Sequence, residues 1–173
     1  MPDRAPPATG YQLRAVVHGV SPLIWRRLLV PGDTTIAVLH AIVQAAFDWS
    51  GEYLHRFTVH GTDYGICYDG GPAFRDDARR VCLAGLGLRE GERFTYTYTY
   101  TYTYNFFADW RLDLRVEQIT DARSARVYPR CAGGKGWRVD VVVEPLGWLG
   151  QFRLSHESNR WFRGQHRWHQ LGI

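Results

Sequence analysis

Apolar and polar residues alternate along the first part of the chain. In YQLRAVVH, residues 11–18, every second side chain is apolar, and this period of two is typical of a half-buried β-strand. The turn GVSP separates it from LIWRRLLV, residues 23–30, which has apolar residues on both faces around two arginines. A strand that is apolar on both faces is covered on both sides. The pattern therefore predicts two strands, the second of them in the interior of a sheet.

The period changes to that of a helix in IAVLHAIVQAAFDW, residues 36–49. When this segment is helical, one stripe carries Ile36, Leu39, His40, Val43 and Phe47. Thr34 or Thr35 stands where a hydroxyl can cap the first turn. The sequence thus predicts one clear amphipathic helix, with a histidine on its buried side.

Strand patterning returns after this helix. YLHRFTVH, residues 53–60, places His55 on the same face as Phe57 and Val59, which predicts another half-buried strand. The GTDYG that follows predicts a turn, and residues 65–80, with their glycines and proline, predict a loop.

Five Thr-Tyr pairs, residues 95–104, raise the question of whether the tract is a ladder of tyrosines that holds a ligand or a strand lengthened by repeat expansion. Ten residues extend roughly 33 Å, well beyond the roughly 17–20 Å of a common strand. Whole Thr-Tyr insertions keep every later residue on its face, because side chains alternate with period two. We favour expansion. Residues 111–119 alternate again and are expected to pair back as a hairpin, with NFFAD, residues 105–109, as its loop.

The order of several segments resembles the Ri-plasmid ORF-three-like family, some of whose members are labelled insertion-element TnpR passenger proteins. The segments are SPLIWRRLLVPGD, LHAIVQAAFDW, YLHRFTVHGTDYG, LREGERFTYTY, NFFADW and DLRVEQI. The resemblance covers residues 11 to about 134. It implies an α+β single domain of unknown biochemical function, in which a few helices pack on a mainly antiparallel sheet. We expect residues 1–10 to be a disordered leader and residues 135–173 an atypical Arg/Trp-rich tail.

The chain departs from this family at the turn before Trp110. Relatives typically have Asp-Phe-Gly-Asp there, whereas Asn105 and Ala108 replace two acidic positions in this chain. Leu112 stands where relatives often have histidine. The tail also lacks the proline- and acid-rich ending of the family, and we interpret it as a shifted reading frame or a recombined end.

The composition indicates a cellular location and argues against several classes of protein. With 173 residues, of which 45% are hydrophobic, the chain suffices for one domain with a proper core. No run reaches the roughly 18 apolar residues of a membrane span, and the first ten residues do not form a signal peptide. Three widely spaced cysteines indicate neither a disulfide framework nor a zinc knuckle. We therefore expect a cytoplasmic protein without membrane association.

Five residues are candidates for a polar site: Arg26, His40, His55, Asp109 and Trp110. The two histidines match positions of the family pattern, although a neutral core histidine with one hydrogen bond explains the same placement. The pair formed by Arg26 and its neighbour either grips a carboxylate or phosphate or forms a salt-bridged strand face. We expect no metal and no cofactor, because three or four ligands would have to converge and the acidic turn is missing. No catalytic residues are identified.

The sequence is compatible with two classes of function. The favoured one is a non-enzymatic binding or accessory module of a plasmid- or mobile-element-associated family. The alternative is a degenerate copy of a hydrolase-like or metal-using enzyme whose aspartate turn has been lost. Residues 146–173 hold four arginines and one glutamate, and so carry +3 of the chain's net charge of +4. Weak, non-specific nucleic-acid binding through this basic tail is therefore a further possibility; other partners are unknown.

Overall fold

The structure is a computed structural model that describes residues 9–49, 54–99, 110–121, 129–136, 142–146 and 151–155. Its elements are β1 (Thr9–Val17), β2 (Trp25–Pro31), α1 (Ile36–Phe47), β3 (Leu54–Val59), β4 (Thr62–Tyr64), a 3₁₀ helix (Leu83–Leu86), β5 (Arg93–Thr99), β6 (Trp110–Asp121), β7 (Arg130–Lys135), β8 (Val142–Leu146) and β9 (Gln151–Ser155). The fold is α+β, as predicted, with the sheet dominant. None of the helices in these ranges is long and apolar enough to cross a membrane.

The nine strands of the described ranges belong to one antiparallel sheet. Their order is β4-β3-β5-β6-β1-β2-β7-β8-β9. The predicted hairpin is confirmed, because β5 pairs with β6 from Arg93 opposite Arg115 to Tyr98 opposite Trp110. Strands β8 and β9 lie in the tail, where no strand was predicted because its arginines and tryptophans follow no sustained period. The limits of the leader, domain and tail stay a prediction.

The Thr-Tyr tract lies in β5 only as far as residue 99. Tyr96 and Tyr98 are buried on the side of the sheet that carries the core, and the alternate residues Thr95 and Thr97 are half-buried. Residues 100–109, including the rest of the repeat and the predicted NFFAD loop, lie outside the described residues.

Helix α1 begins and ends where its sequence provides caps. Thr35 Oγ1 accepts a hydrogen bond from the backbone N–H of Val38 at 3.2 Å, as a threonine N-cap does. Asp48 closes the helix in the left-handed conformation, with φ 56° and ψ 41°. The helix is buried on more sides than its apolar stripe predicted. The reason is that residues 78–83 cover its first turn, where the Ile36 N–H donates to the Val81 carbonyl at 2.9 Å.

The turn predicted for GTDYG is shorter than expected. Only His60 and Gly61 form the turn, both with positive φ (49° and 76°), and Val59 pairs with Thr62 across it. Two residues of positive φ between antiparallel strands make a tight hairpin whose twist matches that of the strands. Residues 62–64 therefore continue as a strand, and the prediction of a turn is wrong for them.

The two faces of the sheet differ in chemistry. The helix face, which packs on α1, is apolar and buried, with Leu13, Leu28, Phe57, Tyr96 and Leu114 fully buried. The opposite side, here called the outer face, carries the alternate residues of the same strands, and many of these are charged or polar. The candidate polar residues on α1 and β3 belong to the helix face.

Candidate functional site

His40 and His55 lie in direct contact between α1 and the sheet. Their rings stack with centroids 3.5 Å apart and an angle of 9° between the planes. The two residues are only 5% and 3% exposed. Each was predicted on the buried side of its own element, and the packing of α1 over β3 brings the two sides together.

Tyr96 and Gln44 complete a hydrogen-bonded chain with His40. The Gln44 side-chain amide donates to the Tyr96 hydroxyl oxygen at 2.7 Å, and His40 Nδ1 lies 2.8 Å from the same oxygen. Because that oxygen accepts from Gln44, its own hydrogen can be donated to Nδ1. This assignment requires an imidazole whose Nδ1 carries no proton, which is the neutral form of His40.

His55 has hydrogen-bonding capacity that the described residues do not use. Both of its ring nitrogens are buried and have no partner among those residues. Its nearest described rings are those of His40, Tyr96, Tyr68 and Phe57. A buried polar group without a partner costs roughly 1–3 kcal/mol, so His55 presents one donor and one acceptor in a mainly aromatic environment.

The histidine pair is neutral near pH 7. Burial, followed by the proximity of His55, lowers the pKa of His40 from its ordinary value of 6.5 to about 2. Burial lowers the pKa of His55 to about 4 and raises that of Tyr96 well above its ordinary value. All three groups therefore offer hydrogen bonds between neutral partners, and none of them changes its charge near neutral pH.

An aromatic cluster connects the histidine pair to the surface at Trp110. The Trp49 ring stacks on Tyr98 with centroids 5.4 Å apart and an angle of 6°. It also lies 6.4 Å from Tyr96 and 5.8 Å from Trp110. Trp110 is 41% exposed at the start of β6. Asp109, the remaining acidic candidate, lies outside the described residues.

Arg26 is buried at the end of α1, where it binds backbone carbonyls. Its Nε donates to the Ala46 carbonyl at 2.9 Å, and its Nη1 donates to those of Trp25 and Lys135. The guanidinium also lies 5.2 Å from the centroid of the Phe47 ring. These contacts join the last turn of α1 to β2 and β7. Its neighbour Arg27 forms a salt bridge with Glu117 on the opposite face. This agrees with the salt-bridged strand face that was one of the two alternatives for the pair.

Three residues of this region were not predicted from the sequence: Tyr96, Gln44 and Trp49. A signal for Gln44 was present, because it lies four residues after His40 and so on the same side of the helix. Tyr96 was hidden in a repeat whose tyrosines all share one face. Trp49 follows the helix and gave no periodic signal.

The geometry of the histidine pair is unsuited to one shared metal ion. Ring lone pairs lie in the ring planes, and these planes are nearly parallel. An ion roughly 2.1 Å from a nitrogen of one ring, in its plane, would therefore stand well out of the plane of the other. The described residues contain no group of three or more His, Cys, Asp or Glu placed to hold a metal.

Two relatives share much of this chain. It is 27% identical over 119 residues to the uncharacterized protein y4hQ of Sinorhizobium fredii, an alignment that covers 66% of this chain and 57% of the relative. The chain thus spans little more than half the length of y4hQ. A crystal structure of a protein of unknown function, MM3350 from Methanosarcina mazei Go1, is similar with a TM-score of 0.60 and 30% identity, over 73% of this chain and 70% of that one. Neither name states an activity.

A family model agrees with the resemblance seen in the sequence. The model of the plasmid pRiA4b ORF-3-like protein matches residues 9–144, which include the helix, both histidines and the strands from β1 to β7. The match runs ten residues beyond the limit of about 134 expected from the motifs. The chain therefore belongs to the plasmid pRiA4b ORF-3-like protein family.

Proposed function

We propose that the chain is a non-enzymatic binding or accessory module whose binding site contains the stacked pair of His40 and His55. The observation that carries this proposal is that both imidazoles are buried and neutral, with pKa values of about 2 and about 4. A general acid or base works best when its pKa lies near the operating pH. The pair can hold a ligand through hydrogen bonds and ring contacts, but it is poorly matched to proton transfer near pH 7.

A degenerate hydrolase-like or metal-using enzyme is the second candidate. It is supported by the position of Leu112, which lies directly opposite Tyr96 on the helix face. A histidine at this position, which relatives often have, would stand beside the hydroxyl that binds His40. Such a group would add a second proton carrier beside Tyr96. This chain has leucine there, which favours the binding module.

Titration of the histidines by NMR tests the proposal. With ¹⁵N-labelled histidine, the ring signals of His40 and His55 are expected to stay those of neutral imidazole from about pH 8 down to about pH 5. The exposed residues His18 and His60 serve as internal controls, because water reaches their rings. A midpoint between about pH 6 and pH 7 for either buried histidine would contradict the module. So would stoichiometric Zn²⁺ binding that His55→Phe abolishes.

We further propose weak binding of nucleic acid through the basic tail, together with a cytoplasmic location and an accessory role on mobile DNA. Contacts between arginines and phosphates weaken steeply with salt and do not depend on base sequence. Anisotropy of a labelled single strand is expected to show binding at about 50 mM salt that is lost by about 200 mM. Replacing Arg160, Arg163 and Arg167 by glutamine should remove it. Binding that survives salt, or that discriminates between sequences, would contradict this role.

A further inference from the structure

Four arginines lie side by side across the outer face of the sheet. Arg93 on β5 stands opposite Arg115 on β6. Arg115 stands opposite Arg14 on β1, which stands opposite Arg27 on β2. Because neighbouring strands are about 4.8 Å apart, this outer-face arginine row spans roughly 14 Å. The row is directed away from α1 and the histidine pair.

Among the residues that the structure describes, only Arg27 of these four arginines has an acidic partner. The Glu117 carboxylate accepts two hydrogen bonds from Arg27, one of them from Nη2 at 3.0 Å, and a further one from Gln12. Within the described ranges, Arg14, Arg93 and Arg115 have no ion pair within 4 Å. Three guanidinium groups of the row therefore have no ion pair in the part of the chain that the structure describes.

Asp113, which lies beside the free arginines in the same groove, already has partners. Asp113 accepts from Arg111, with 3.2 Å between Nη2 and Oδ1, and its other oxygen lies 3.1 Å from His18 Nδ1. Like charges directly opposite one another on a sheet face are destabilising. The three pairs of neighbouring arginines in this row therefore lower the stability of the sheet, and a bound anion would offset this effect.

Arg14 is held in position by the ring of Trp25. Its guanidinium carbon lies 4.9 Å from the Trp25 centroid, and that of Arg27 lies 5.4 Å from the same ring. The Arg14 Nε is buried and has no hydrogen-bond partner among the described residues. The guanidinium is therefore fixed in the row.

A groove of about 220 Å³ lies over the free part of the row. Its lining residues are Arg14, Val16, Arg93, Asp113, Leu114 and Arg115. Three planar guanidinium groups around one small concavity suit a phosphate group, whose several oxygens can each accept hydrogen bonds from them. Val16, on the same face, adds an apolar side chain beside them.

We propose that the outer-face arginine row is a binding site for a compact phosphorylated small molecule. The groove is small, and the carboxylates of Asp113 and Glu117 interrupt the basic surface, so a polyanionic strand crossing the sheet would meet like charge. The Trp25 ring is already stacked by Arg14 and Arg27 and is not free for a base. The site lies on the face opposite to the histidine pair and does not depend on the function proposed for that pair.

Calorimetric titration of the full chain with inorganic pyrophosphate at low ionic strength tests this site. The wild-type protein is expected to bind, and the double variant R93Q/R115Q at least about tenfold more weakly, because two of the three free guanidiniums are lost. The matched control R75Q/R80Q removes the same charge from exposed loop arginines. It should bind within about twofold of wild type. In phosphate-free buffer the Tm of R93Q/R115Q should rise by about 1–4 °C, because like-charge pairs are relieved.

Three results would overturn the proposal. The first is no binding of pyrophosphate by wild type in a titration that reaches millimolar concentrations. The second is an equal loss of affinity in R75Q/R80Q, which would show a response to net charge alone. The third is tighter binding of a single-stranded oligonucleotide than of pyrophosphate, abolished by R93Q/R115Q, which would assign the row to nucleic acid. Since both variants change exposed side chains, their folding can be verified from the same melts.

Discussion

Replacing Arg26 by methionine is expected to lower the free energy of unfolding by about 3–5 kcal/mol, a far larger effect than the same change at its neighbour. Arg26 is 1% exposed and donates hydrogen bonds to the carbonyls of Ala46, Trp25 and Lys135. Methionine fills a similar volume but leaves buried acceptors without these donors, at roughly 1–3 kcal/mol each. Relief of the buried cation's desolvation offsets part of this loss. Burial does lower the pKa of Arg26, but an arginine starts so high that it stays charged.

Arg27→Met is the matched control, because the two arginines are adjacent on β2 and point to opposite faces. The Arg27 side chain is 35% exposed and pairs with Glu117 on the outer face. Ion pairs in contact with water are worth roughly 0–1 kcal/mol. Urea unfolding of both variants is the measurement, and in a thermal melt the Tm of R26M should fall by roughly 10 °C. Equal effects at the two positions, or a stable R26M, would show that the carbonyls find other partners.

The strands and the hairpin were predictable because their side chains obey a period of two. In β1 the residues Leu13, Ala15 and Val17 are buried, whereas Gln12 and Arg14 are half-buried. A sheet with one apolar and one charged face imposes this alternation on its sequence. The same pattern in β6 made the hairpin with β5 predictable.

The contact between His40 and His55 was not predictable. Periodicity placed each histidine on a buried side, but it does not fix which residue of α1 crosses which residue of β3. That choice depends on the packing of the helix over the sheet. The outer-face arginine row was not predictable for a similar reason. Each arginine was visible in the sequence, but their alignment depends on strand register, which shifts between Gln12 and Leu13 where β1 pairs with β6.

No strand was predicted for residues 130–135, which contain two adjacent glycines. The structure gives one of them a specific reason within the strand. A Cβ atom on Gly134 would stand 2.7 Å from the Trp25 carbonyl oxygen and 2.9 Å from the Arg26 side chain. Glycine here allows β7 to approach β2 closely enough for Arg26 to reach the Lys135 carbonyl. A glycine inside a strand often marks such a close approach, but the sequence alone does not show what approaches it.

Acidification is expected to destabilise the protein by roughly 3–5 kcal/mol between about pH 7.5 and pH 4.5, chiefly through His40 and His55. Their folded-state pKa values of about 2 and about 4 lie below the value of 6.5 of an unfolded chain. As the pH falls, the two histidines are protonated in the unfolded state but stay neutral in the folded state. The free energy of unfolding therefore decreases with each unit of pH. Above about pH 6.5 both histidines are neutral in either state, and the protein has its full stability with respect to them. The part from His55 is lost toward pH 4, and that from His40 continues to fall toward pH 2.

The groups that face the histidine pair do not contribute to this dependence of stability on pH. Gln44 on α1, Tyr96 on β5 and Tyr68 in the loop after β4 face the two rings, and none of them titrates in this window. The carboxylate of Glu117 has a lowered pKa because of its hydrogen bond with Arg27. It therefore loses its stabilising charge below the range of the experiment. Between about pH 6 and pH 5, two buried histidines give a slope of at most about 2.7 kcal/mol per pH unit.

His55→Phe separates the histidine pair from every other titrating group. Phenylalanine keeps a ring against His40 and removes one of the two protons, so the slope of unfolding free energy against pH should fall by about half. The control H18Q/H60Q removes two exposed histidines that lie near Asp113 and Glu92, and it should leave most of the slope in place. Urea unfolding at several pH values from about 7.5 to about 4.5 measures all three proteins. A slope that survives in His55→Phe but disappears in H18Q/H60Q would assign the acid sensitivity to the surface and would mean that the stacked pair accepts protons while folded.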